Sequence, residues 1–468
     1  MKRTVIALSC CVALAAGAVL AQSGSGAKPV EIYVVDVEGG KAAFIVAPNG
    51  QTALIDTGGG GGAAVERDVT RIMEVAAAAG ITKLDYLLST HYHIDHIGGL
   101  QELVKRLPVA TYLDHGPSAE EREQVAGFQA AYAALKASAK SQVLKVGDTV
   151  PMAGMNWRIV TAAGEVQKQP IAGARGTGPN AQCAGVTRST MNNGGDENDG
   201  SLGTLITIGG FRFLDLGDFT GAKEFDLVCP NNPIGAVDLF MASNHGTNNA
   251  NMPFFIRSIS PRVSIAQNNP GKGASVQYLE GLQSTPGFID TWLLHWSNAG
   301  RAEWNPPAAF IANGVEPETI AAALNAPPPA ARGGGGGGRG GGAPGAPAAG
   351  GPPPAGGAPA AAPAPGAPAA GAAPAAGTPA AGATPAAGAA PAAGAAPAAG
   401  AAPAAGAAPA AGAPQAPGAA GGRGGGRGGG QPPHTPAHYL KVSIQPDGTF
   451  TVLNSRNNFS KTYTPRPR

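Results

Sequence analysis

The segment His91-Tyr92-His93-Ile94-Asp95-His96 sets four side chains able to bind metal within six residues, directly after the apolar run at residues 84–88 (LDYLL). Residues 84–88 read as a buried strand, and a loop at its end lets alternate side chains point at two adjacent ions. Neutral imidazoles and a carboxylate are donors that zinc accepts at distances near 2 Å. The bland alternative is a polar turn that happens to be rich in histidine. Three of the eight histidines of the chain fall in this one segment, and no packing requirement accounts for that.

Upstream, residues 30–37 (VEIYVVDV), 41–46 and 52–55 are short β-branched runs separated by Gly39-Gly40 and Pro48-Asn49-Gly50, the pattern of an antiparallel meander. Residues 63–79 have helical character. Downstream, a helix over 98–106, a strand over 110–113 and a helix over 119–136 continue an α/β alternation. A second set of strands is predicted at 155–160, 202–208, 211–216, 237–242, 263–266 and 288–294, with a helix near 275–282. Two β-rich halves, each faced by helices, predict an αββα sandwich. The polar stretch 164–200 belongs to neither half, and a loop of that length is either functional or disordered.

Composition limits the folded part to one body. Of 468 residues, 72 are Gly and 43 are Pro, and most of the excess lies between residues 324 and 437. The body at residues 28–325 is long enough to bury a large core. Residues 326–437 repeat Ala, Pro and Gly in hexads flanked by Arg-Gly-Gly runs at Arg332, Arg339, Arg423 and Arg427. Such a segment lacks the apolar area to offset its ordering entropy, so a long disordered insertion is expected. Beyond it, residues 439–453 alternate around Pro446-Asp447-Gly448 as a β-hairpin. An isolated hairpin is marginal in water, so residues 438–465 are expected to dock on the main sheet and complete the domain.

Residues 1–21 read as a cleavable leader: Lys2 and Arg3 precede a mostly apolar or small stretch, and Val19 and Ala21 suit the cleavage offsets. An uncleaved anchor is the alternative, but the stretch is shorter than the roughly 20 residues a span needs. Cys10 and Cys11 fall too early for a good lipoprotein site. A secreted or periplasmic protein without stable membrane insertion is therefore expected. Cys183 and Cys229 remain, either bridged, as such a compartment permits, or as two small buried thiols. A net charge of +2 indicates neither a strongly basic nucleic-acid face nor an acidic one.

With its HxHxDH cluster at His91, His93, Asp95 and His96, the sequence resembles the metallo-β-lactamase superfamily. More narrowly it resembles the ComEC-like branch. The matching residues are Asp36-Val37-Glu38-Gly39-Gly40-Lys41-Ala42-Ala43, Leu54-Ile55-Asp56-Thr57-Gly58, the HxDHxGG run from His93 to Gly99, Asn198 to Leu202, Gly217-Asp218 and His245-Gly246. The motifs span residues 30–300 in the family's order. The resemblance implies two zinc ions, other divalent metals being possible. His91 and His93 would bind the first, Asp95, His96 and His245 the second, and Asp218 would bridge them. Asp218 and His245 each follow a predicted strand, where layered α/β folds place active sites. Asp56, also at a strand end, is expected to brace the metal loop from behind.

Two departures bear on the chemistry. Many members carry a further histidine about twenty residues before the bridging carboxylate, and here residues 196–201 read DENDGS. Asn198 and Asp199 are the candidates there for metal support or substrate contact, or else the first site loads less readily. Asn268-Asn269 is followed by Pro270-Gly271-Lys272 where a Gly-His-Pro is usual, so a substrate contact has changed. His115 is a further candidate for metal or substrate contact, and His295 a weaker one.

The implied chemistry is hydrolysis by a metal-bound hydroxide, with His91, His93 and Asp95 as the catalytic candidates. No Gly-x-Ser-x-Gly occurs in the body, and neither Cys183 nor Cys229 has the basic neighbours of a reactive thiolate. The expected substrate is a phosphodiester of nucleic-acid type or another small molecule. Hydrolysis of a lactam, lactone or other ester is the alternative enzyme reading. A surface binding protein with a degenerate metal site is the alternative outside catalysis.

Overall fold

The computed structural model describes residues 28–119, 123–188, 197–315 and 437–467. The expected leader at 1–21, and all but the last residue of the expected insertion at 326–437, lie outside the described residues.

The first sheet starts as a meander: β1 (Val30–Val34), β2 (Ala43–Val46) and β3 (Thr52–Ile55) pair antiparallel. β4 (Tyr86–Leu88), β5 (Thr111–Asp114) and β6 (Lys140–Val143) then add in parallel. Parallel pairing demands crossovers. They are α1 (Ala63–Ala78) between β3 and β4, the short α2 (Ile94–Ile97) and α3 (Leu100–Leu103) before β5, and α4 (Glu123–Ala137) before β6.

The second sheet repeats the plan. β7 (Thr149–Val150), β8 (Asn156–Ala162), β11 (Gly203–Ile208) and β12 (Phe211–Asp215) are antiparallel neighbours, with β9 (Glu165–Val166) on β8. From β12 the sheet continues in parallel through β14 (Leu239–Met241), β15 (Val263–Ala266), β16 (Asp290–His295) and β17 (Ile311–Asn313). Helices α5 (Gly221–Val228), α6 (Pro253–Ile259) and α7 (Val276–Gln283) make the crossovers as far as β16. β10 (Gly178–Pro179) and β13 (Asn231–Asn232) form a separate ribbon.

Three apolar layers make this the expected αββα sandwich. Ile32, Ile45, Trp157, Phe213 and Trp292 fill the space between the sheets. Phe44, Leu54 and Leu87 pack under Val69, Ile72 and Leu103 on the outside of the first sheet. Leu214 and Phe240 pack under Phe255, Leu279 and Leu282 outside the second. Among the described residues no helix is long and apolar enough to cross a membrane.

The chain returns at β18 (Leu440–Ile444), β19 (Phe450–Asn454) and β20 (Ser460–Tyr463). β18 lies antiparallel on β1, pairing Val30 with Ile444 and Val34 with Leu440. Alternation does the work: Leu440, Val442, Ile444, Phe450 and Val452 are fully buried in the inter-sheet layer. The expected hairpin is thus a three-stranded unit, with β20 added along β19.

The structure differs from expectation in detail. Of the helix expected over 98–106 only α3, Leu100–Leu103, forms, and a further short helix, α2, precedes it across Gly98-Gly99. The loop at Gly59 passes so close that a Cβ on Gly98 would lie 1.7 Å from its carbonyl oxygen, which forces glycine there. β6, α5 and α6 were not expected. Lys140–Val143 is exposed throughout, so it carries no alternation to read, and α5 and α6 are only 8 and 7 residues long.

Candidate metal centre

The candidate residues gather where β3, β4, β12 and β14 end. Asp56 follows β3 with φ 58°, a left-handed conformation that a non-glycine residue adopts at a cost. Its carboxylate accepts from Thr90 N and Thr90 Oγ1, both at 2.7 Å, and meets His96 Nδ1 at 2.8 Å. Asp56 therefore holds the proton on Nδ1 of His96 and turns Nε2 outward, the bracing role expected of it. The carbonyl of His96 accepts from Thr57 N at 2.7 Å, which ties the loop to the end of β3.

His245 follows β14, with φ 57°. Its Nδ1 meets the Gln267 carbonyl at 3.1 Å, so Nε2 again faces the centre. Asp218, three residues past β12, is held by Asp218 N donating to Ser201 Oγ at 3.2 Å. Its carboxylate lies 3.3 Å from His96 Nε2 and 3.2 Å from His245 Nε2, and Asp95 Oδ2 lies 3.4 Å from His245 Nε2.

Donor atoms of Asp95, His96, Asp218 and His245 all fall within 4.8 Å of one another. Both imidazole Nε2 atoms are buried and make no hydrogen bond. Two buried lone-pair donors facing two carboxylates are the donor set of a divalent cation. The electrostatics agree. Burial works against charging His96, but Asp218, Asp56 and Asp95 outweigh it and push the imidazole up to about 10. Burial likewise opposes ionisation of Asp218, yet His245 and His96 hold its carboxyl well below the usual carboxylate range. The centre is short of positive charge, and a metal supplies it where a proton otherwise would.

His91 and His93 stand beside this group. His91 Nε2 and His93 Nδ1 are 3.0 Å apart, and the His91 ring packs 4.0 Å from that of His96. Burial, then the His96 and His93 imidazoles, keep His91 well below its usual pKa, in the neutral form that ligates. Among the described residues no third His, Cys, Asp or Glu atom converges with this pair as the other four converge.

Of the replacement candidates, Asp199 is engaged elsewhere. Asp199 accepts from Thr220 Oγ1 at 2.5 Å, and Asn198 sits in a single 3-10 turn, Glu197–Gly200, its Oδ1 buried. Sequence reading passed over the neighbour that matters most, Glu197. Fully buried, it meets His115 Nε2 at 2.8 Å and accepts from Ser118 Oγ at 2.9 Å, Ala119 N at 2.6 Å and Tyr92 N at 3.2 Å. His115 is thus drawn to Glu197, and His295 to Asp36 at 2.8 Å. Neither joins the converging group.

Two lysines also went unread. Lys41, buried, pairs with Asp215 at the end of β12. Lys272, more than a third exposed, bonds Asp95 Oδ2 at 2.5 Å and the Gly39 carbonyl at 2.7 Å. Its place was flagged as a departure from the usual Gly-His-Pro, though its reach to Asp95, 177 positions away, had no sequence signal. Cys183 and Cys229 are bonded, which closes the alternative of two free thiols.

Residues 36–181 match the model of the metallo-beta-lactamase superfamily. The fold is that of the metallo-β-lactamase superfamily. His91, His93, Asp95 and His96 lie within the matched residues, and Asp218 and His245 beyond them. No curated protein matches the chain. Among solved structures, the metallo-beta-lactamase fold protein YhfI from Bacillus subtilis is 11% identical over 57% of this chain and 96% of its own, with TM-score 0.36. A diphosphatase from the PhnP family is 14% identical over 56% and 94%, TM-score 0.31. CmlA, a diiron beta-hydroxylase from Streptomyces venezuelae, is 14% identical over 57% and 53%, TM-score 0.32. These identities tie the chain to none of those reactions.

Proposed function

We propose that the protein is an exported metal-dependent hydrolase acting on phosphodiesters of nucleic-acid type. One observation carries the metal: the converging Asp95, His96, Asp218 and His245 donors, with two buried Nε2 atoms lacking a hydrogen bond. Asp95, His96, Asp218 and His245 would hold one divalent ion and His91 and His93, with Asp218, a second, zinc being the ion these donors suit best. When bound, such ions lower the pKa of water and polarise the scissile bond.

The chain's own groups prepare that chemistry. Asp56 and the Gln267 carbonyl keep protons on the Nδ1 atoms of His96 and His245, leaving Nε2 free to ligate. Asp95 carries Lys272 on its Oδ2, which sets a cation at the rim for a substrate oxyanion. That cation, with the ComEC-like motifs, favours a phosphodiester. The leader at Lys2-Arg3 and the Cys183–Cys229 bond favour export.

Turnover of bis-p-nitrophenyl phosphate, abolished by a chelator and restored by zinc, is the expected result. Cleavage of a chromogenic cephalosporin instead would assign the lactam or ester alternative, and neither activity in protein shown to hold metal would defeat the reading. Protein recovered outside the cytoplasm should begin at Gln22.

A further inference from the structure

At the opposite end of β12 from Asp218, where β11 turns into β12 through Gly209-Gly210, lies a cavity of about 480 Å³. Arg175, Arg212 and Arg466 line it, together with Thr207 and Asp238. Arg262 adds a fourth positive charge next to Arg466 and Asp238. Asp238 is the one carboxylate lining the cavity among the described residues, and its charge is felt by Arg212, Arg262 and Arg466 without a side-chain ion pair to any of them. Its two oxygens accept from backbone amides, Arg212 N at 3.0 Å and Arg466 N at 2.8 Å.

Among the described residues the guanidiniums of Arg175, Arg212 and Arg466 bond only neutral oxygens. Arg212 donates to the carbonyls of Ala236 and Ile234 at 3.1 and 2.6 Å. Arg466 donates to the carbonyl and hydroxyl of Ser260 at 2.6 and 3.1 Å. Arg175 donates to the Arg466 carbonyl at 3.1 Å. The Nε atoms of Arg262 and Arg466 are buried and bond nothing. Burial, with the other guanidiniums acting against Asp238, pulls Arg212 and Arg466 below the ordinary arginine range. Crowded, partly buried cations with no carboxylate bonded to them among the described residues are costly in a folded protein, and a bound oxyanion lowers that cost.

We infer that this cavity, remote from the metal centre, binds a small phosphate-bearing anion. Planar guanidinium forks match phosphate oxygens two at a time, and the volume suits a small molecule rather than a chain. The ligand chemistry is a phosphoryl group, free or as a sugar phosphate, held by Arg175, Arg212 and Arg466.

The metal-loaded full chain should be titrated calorimetrically with inorganic phosphate and, separately, with ribose 5-phosphate. A saturable site for either is expected, tighter for whichever form the cavity takes. It should persist in His245→Ala and weaken at least tenfold in Arg175→Gln with Arg466→Gln. Should that double variant fail to melt cooperatively, Arg175→Gln alone should still weaken binding severalfold, with Arg175→Lys recovering part of it. Absence of binding at millimolar phosphate, binding indifferent to the arginine changes, or binding lost with His245→Ala would each overturn the inference.

Discussion

The two halves of the metal centre are built differently. Asp95, His96, Asp218 and His245 arrive from three places in the chain and converge within 4.8 Å. His91 and His93 come from one loop and meet each other at 3.0 Å, with the His91 ring also against His96. The first group is braced from outside: Asp56 fixes His96 and Gln267 fixes His245, and both His245 and Asp56 accept strained backbone to do so. For the pair, the corresponding support falls to Thr90, whose hydroxyl meets His91 Nδ1 at 3.1 Å. The difference teaches that a complete ligand motif in the sequence need not make two equal sites, because what equalises them comes from elsewhere in the chain.

That asymmetry can be broken experimentally. Asp218→Ala should have the largest effect, since under the proposal the carboxylate would serve both halves. Metal content by mass spectrometry should fall to near zero and turnover by about a thousandfold or more, the several kcal/mol a catalytic ion supplies. Next, His91→Ala with His93→Ala should remove one ion per chain, abolish hydrolysis and leave the melting temperature nearly unchanged. Loss of both ions would show the halves to be one coupled unit. Asp56→Asn should weaken metal affinity in the converging group about 10- to 100-fold, measured by competition with a chelating dye. An equal loss from the His91–His93 half would contradict its assigned role. The smallest effect is expected for Lys272→Met: a KM about tenfold higher for an anionic diester, with metal content unchanged.

The same asymmetry explains what the sequence revealed. The segment from His91 to His96 was legible because its donors are contiguous and follow a buried strand. The layered architecture was legible because β1, β3 and β15 are mostly apolar runs and β18 alternates, all at ordinary strand length. Asp218 and His245 were chosen through the order of family motifs, supported by their place after predicted strands, since a lone Asp after Gly and a lone His carry no periodic signal. Glu197 meets His115 across 82 positions and Lys41 meets Asp215 across 174. Such pairs are products of the finished fold, invisible to local pattern. β6 escaped for a different reason: an exposed edge strand has no buried face to impose alternation.

The pairing of β1 with β18 also sets a timetable. Val30 meets Ile444, 414 positions later, and at roughly 5–20 residues per second of synthesis the partner strand is made about 20 to 80 seconds after the first. Throughout that interval β1 offers an open edge to any other extended chain. A newborn molecule must therefore be kept from its neighbours until its own late segment arrives, and crowding several copies on one messenger would invite strand exchange between them.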